Sequence, residues 1–125
     1  MRYEMLPGFA NVYLEDSWVL GIRSRPGVLE FDLELVLTEE HPLFRPPNSD
    51  EQYCYRNARL LFQGVTDLRW GNQDASRPAI DANGSIDFGS IDCLEPHDGM
   101  YVVVGDFGRI QVSADPPVID YTCRW

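Results

Sequence analysis

The residues with the widest chemical scope fall in EEHPLFRPPNSDEQYCYR, residues 39–56. An imidazole (His41) and a thiol (Cys54) stand near its two ends, among four carboxylates (Glu39, Glu40, Asp50, Glu51) and two guanidinium groups (Arg45, Arg56). A histidine that takes the proton of a thiol is the chemistry of a cysteine nucleophile. That chemistry also needs a third group to orient the base, and the segment supplies none. No GxSxG elbow, HExxH pair or papain-like or caspase-like cysteine signature occurs elsewhere in the chain. The second histidine, His97, stands beside Asp98 in a turn, where a neighbouring carboxylate could support it as a base. The 39–56 segment therefore reads as a recognition surface, with Glu39, His41, Arg45 and Tyr53 as contacts rather than catalysts.

Two further clusters carry carboxylates. Glu30, Asp32 and Glu34 alternate with apolar residues in VLEFDLELVLT, residues 28–38. On a strand such residues share one face at about 6.8 Å per step, twice the rise per residue. Three parallel carboxylates suit a basic partner better than a metal, whose ligands converge from several elements. The expectation is a solvated acidic face. In DANGSID, residues 81–87, Asp81, Asn83 and Asp87 fall on ligand positions of an EF-hand calcium loop when Gly84 and Ile86 are aligned on that pattern. The alignment puts Ala79 and Ser90 on the first and last ligand positions. A hairpin turn at Asn83-Gly84 is the simpler reading. No metal or cofactor is expected.

These clusters sit in a chain of 125 residues with a formal net charge of -10 and a pI of about 4.4. A hydrophobic content of 44% supports one folded domain, residues 1–125. The negative charge repels nucleic acid and anionic membrane surfaces and attracts a basic protein. All ten basic residues are arginine. Without lysine, neither Schiff-base chemistry nor a Walker-type phosphate loop is available. Cys54, Cys93 and Cys123 form no CxxC pair, so reduced thiols in a cytoplasmic protein are expected. There is neither a signal-peptide-like apolar run at the start nor a stretch of membrane-spanning length.

The elements that must position these groups repeat with period two. SWVLGIRS (17–24) and VLEFDLELVLT (28–38) flank Arg25-Pro26-Gly27 and predict a hairpin, because proline presets a negative φ and glycine accepts a positive one. NVYLE (11–15) adds a strand before them. Further strands are predicted over 64–70, over 86–94 with a bulge or bend at Gly89, over 100–107, 109–115 and 118–123. The 100–107 strand is nearly all apolar, which suggests cover on both faces. A turn over 95–99 precedes it. Residues 71–85 read as a long loop. Residues 50–63 fit a helix capped at Ser49, but their aromatic content favours a strand with Cys54, Ala58, Leu60 and Phe62 on one face. Pro42, Pro46 and Pro47 make the 39–47 crossing polyproline-like. The fold class is mainly β: an antiparallel sandwich or flattened barrel of about eight strands with little or no helix.

The segments LPGFANVYLEDSWVLGI, LTEEHPLFRPP, EQYCYR, IDFGSID and GDFGRIQV, taken together, resemble a group of small bacterial proteins of uncharacterised activity. The order of elements, with its late glycine-aspartate-aromatic segment, is also similar to small all-β immunity proteins that neutralise secreted bacterial toxins. The resemblance implies a binding protein and carries over no functional residue. The expected function is non-enzymatic binding, as an acidic immunity-type inhibitor of a basic toxin. The alternative is a small hydrolase or carbohydrate-binding domain that uses the 39–56 loop and exposed aromatic side chains.

Overall fold

A computed structural model describes residues 3–6, 8–46, 54–71, 79–80, 86–87 and 89–121. After one 3₁₀ turn (Tyr3–Met5) the chain forms β1 (Val12–Arg25), β2 (Val28–Leu37), β3 (Cys54–Gln63), β4 (Asp67–Gly71) and β5 (Ala79–Ile80). It continues with β6 (Ile86–Asp87), β7 (Ile91–His97), β8 (Met100–Gly105), β9 (Gly108–Ser113) and β10 (Val118–Asp120). The first sheet has the order β1-β2-β3-β10, the second β4-β9-β8-β7, and β5 pairs with β6 alone. Every pairing is antiparallel. The described strands of the two larger sheets form no closed barrel, so of the sandwich and the flattened barrel that the alternating pattern allows, the arrangement is sandwich-like.

The inner faces meet through aromatic rings. Phe31 and Phe62 of the first sheet lie 6.3 Å apart by ring centroid. Phe31 reaches Phe107 at 5.7 Å and Phe62 reaches Tyr101 at 5.6 Å, across to the second sheet. Leu29, Leu33, Leu35, Ala58, Leu60, Val103, Ile110 and Val112 fill the space around them and are fully buried. One edge of the sandwich is sewn by β1 and β7. There the Val19 N–H donates to the Gly89 carbonyl at 2.8 Å, and Trp18 and Ser90 form a single antiparallel bridge.

The β1–β2 hairpin turns at Pro26-Gly27, with Gly27 at φ +78° as a type II turn requires at its second central residue. Residues 54–63 are strand, with Cys54, Ala58, Leu60 and Phe62 inward. Other predicted bounds shift. NVYLE and SWVLGIRS belong to one long strand, because bulges rather than a turn absorb the irregularity between them. The 95–99 turn contracts to Asp98-Gly99, at φ +44° and +84°, which is the type I′ geometry of a two-residue hairpin. Pro96 sits in β7, the edge strand of its sheet, where a missing N–H is tolerated. The 100–107 strand stops at Gly105, and the chain reverses through Asp106-Phe107. The strand lies inside its sheet, between β9 and β7, and its outer face is covered at Val102 and partly covered at Met100 and Val104, which are half-buried.

Candidate binding surface

Glu30 and Asp32 alternate outward from the core side of β2, as the pattern predicts, but they are not a solvated face. Their residues are 3% and 9% exposed. The correction comes from their cross-strand neighbours. Register puts Arg23 of β1 opposite Glu30 and Arg59 of β3 opposite Asp32. Arg23 donates to Glu30 Oε2 from Nε (3.2 Å) and Nη2 (3.0 Å), and to Asp32 Oδ1 from Nη2 (2.9 Å). Its Nη1 donates to Asp32 Oδ2 at 2.5 Å. Arg25 Nη2 pairs with Glu30 Oε1 at 2.6 Å, and Arg59 Nε donates to Asp32 Oδ1 at 3.0 Å. The hydrogen bonds of Asp32 hold the Arg23 pKa above its ordinary value, against the opposing effect of burial. Three arginines thus cover two carboxylates, and the outward-facing groups here are guanidinium. Glu34, one step along, lies opposite Trp18 and Asn57 and stays half-buried.

The acidic surface lies instead where β1 meets β7. Burial, and then the charges of Glu95 and Asp92 of β7 and of Glu15 of β1, push the Cys93 thiol pKa up, so these three carboxylates gather around Cys93. Among the described residues no arginine pairs with these three carboxylates. Tyr3 donates its hydroxyl to Glu15 at 3.1 Å, and His97 contacts Glu95 at 3.3 Å. The same strand β1 carries three exposed large apolar side chains: Tyr13, Trp18 (45% exposed) and Leu20 (41% exposed). Periodicity assigned β1 its strand but could not show this corner, because Cys93 and Glu15 come together only through the sandwich edge. Among the described residues, the exposed aromatic side chains lie on β1, Tyr13 at the end next to Thr38 and Trp18 farther along the strand.

The 39–46 segment is not a polyproline-like crossing. It makes two consecutive turns, closed by His41 N–H to Thr38 O and Phe44 N–H to His41 O, both at 3.0 Å. Pro42 takes the first central position of the second turn, where its fixed φ is preorganised. Glu39 is exposed in the first turn, and the Arg45 side chain is exposed beyond the second. His41 does not meet Cys54. Its Nδ1 accepts the Leu43 N–H at 3.0 Å and its Nε2 lies 3.1 Å from the Tyr121 hydroxyl. The Cys54 sulfur is buried and accepts the Arg45 N–H at 3.5 Å. Both groups of the candidate dyad are thus engaged in holding the loop.

Tyr53, Asp81 and Asn83 lie outside the described residues, as do the Asn83-Gly84 turn and Cys123, and only the backbone of Asp87 is described. Ala79–Ile80, inside the predicted 71–85 loop, pairs antiparallel with Ile86–Asp87, the first residues of the predicted 86–94 strand, whose remainder from Ile91 joins the second sheet as β7. Among the described residues, no group of three or more histidine, cysteine or carboxylate side chains is arranged to hold a metal ion. Nor is any described helix long and apolar enough to cross a membrane. Comparison with protein-family models, with curated proteins and with solved structures finds no match in any of the three.

Proposed function

We propose that the chain is a non-enzymatic binding protein whose partner is a basic protein, in the manner of an immunity-type inhibitor of a basic toxin. The observation that carries this reading is the β1–β7 corner. It sets three carboxylates that no described arginine pairs (Glu15, Asp92, Glu95) beside exposed Trp18 and Leu20. An apolar anchor flanked by charge is the composition of a protein-binding hot spot with its polar rim. The net charge of -10 adds long-range attraction toward a basic surface and speeds encounter.

The test is affinity capture from the native host, followed by direct binding to the recovered protein. One basic protein at near-equal amount is expected, encoded beside this gene if the immunity reading holds. Trp18→Ala and the double substitution Asp92→Arg, Glu95→Arg are expected to abolish its binding, while Arg69→Ala, on β4 of the second sheet, retains it. An acidic partner, or binding indifferent to the β1 and β7 substitutions, would overturn the reading.

A further inference from the structure

We propose that the His41–Tyr121 contact is a pH-sensitive latch, which fastens the 38–46 segment to the end of β10 while His41 is neutral and releases it when His41 takes up a proton. The two ring nitrogens have distinct roles. Nδ1 accepts the Leu43 N–H, so in the neutral ring the proton resides on Nε2, which donates to the Tyr121 hydroxyl oxygen. Both bonds suit one tautomer of the uncharged imidazole. A proton from solvent on Nδ1 would point N–H at N–H. The ring must then turn away from Leu43, and so away from Tyr121, whose ring centroid is 5.4 Å distant.

The neighbouring charges do not rescue the imidazolium. Its own segment contributes Glu39, Glu40 and Arg45, all exposed; β3 contributes Cys54 and Arg56, β10 contributes Asp120, and Tyr121 follows it. Burial lowers the His41 pKa, and no carboxylate in this group offsets it. Arg56 is close enough to act on Tyr121, and being positive it offers the imidazolium no ion pair. Loss of the ring also loosens the residues immediately after it. Phe44 closes its turn on the His41 carbonyl and packs against the core, and the Arg45 N–H rests on Cys54.

NMR on the full chain between about pH 5 and 8, the range in which histidine changes charge, tests the latch. The expected result is that the Leu43, Phe44 and Arg45 amides lose protection in a single titration shared with the His41 ring, while the Val103 amide of β8 stays protected. His41→Asn supplies the second arm. An asparagine oxygen accepts the N–H two residues on, as in an Asx turn, and carries no proton to gain. That variant is expected to keep the Leu43 amide protected at every pH. Titration of His41 without any change at Leu43 would overturn the latch, and so would the same pH-dependent loosening in His41→Asn.

Discussion

The Ser17 hydroxyl accepts the backbone N–H of Val36 at 3.0 Å and donates to the Tyr13 carbonyl at 2.9 Å. It stands where strand backbone is missing. Between the pairs Tyr13–Val36 and Trp18–Glu34, β1 advances from 13 to 18 while β2 passes only from 36 to 34. The extra residues bulge away, and a side-chain oxygen, fully buried, closes the gap in the ladder. Ser17→Ala leaves a buried N–H without its acceptor, at a cost of about 1–3 kcal/mol. A urea denaturation midpoint within error of the wild type would contradict this role, as would an unchanged exchange rate of the Val36 amide.

The alternation in VLEFDLELVLT made the core side of β2 legible, and Pro26-Gly27 made its hairpin legible, because both signals are local. The Ser17 plug is not local: nothing in the sequence marks where β1 leaves its partner. The same limit explains the acidic face. Periodicity tells which way Glu30 and Asp32 point but not which residues lie across from them, and Arg59 reaches Asp32 from 27 residues away. His41 and Tyr121 are separated by 80 residues, so the 39–56 segment shows one partner of that contact without the other. The second turn of the loop, by contrast, was within reach, since Pro42 favours it by a local constraint.

Gly105 marks a second site of close approach. A Cβ there would run into the Phe107 ring and the Ser90 carbonyl. Phe107 is almost wholly buried and contacts Phe31 across the sandwich, so its ring has little room to yield. Gly105→Ala is expected to destabilise by about 1–3 kcal/mol, the range for overpacking a filled core. Thermal unfolding of the variant checks it, and a midpoint at or above that of the wild type would show that the β8–β9 turn can shift.

In the arginine–carboxylate network the two signs of charge are unequally placed. Glu30 is buried, whereas its partner Arg25 has a side chain 61% exposed. Glu30→Gln removes the buried negative charge and replaces one of its two accepting oxygens by an amide N–H that faces an arginine, and it is expected to cost about 1–3 kcal/mol. Arg25→Gln removes a solvent-screened partner and should cost less than about 1 kcal/mol. Parallel denaturant titrations read the ranking directly. Equal losses, or a larger loss for Arg25→Gln, would mean that the exposed guanidinium contributes more than its position implies.

Tyr121 sets the alkaline limit of the β10 corner. Burial pushes its pKa up to about 12, with the charge of Arg56 opposing, so the folded state favours the neutral phenol. In the unfolded chain tyrosine ionises near 10. Between these values the unfolded state binds fewer protons, so stability falls as pH rises. The contribution is fully present below about pH 10 and lost as pH climbs toward the folded value, and it amounts to roughly 1–2 kcal/mol after allowance for partial solvent access. Tyr121→Phe has no phenol to ionise. Its stability should therefore fall less steeply than the wild type's above about pH 10, even though loss of the His41 contact lowers its stability at neutral pH. Parallel stability profiles for the two proteins in that alkaline range would count against this assignment.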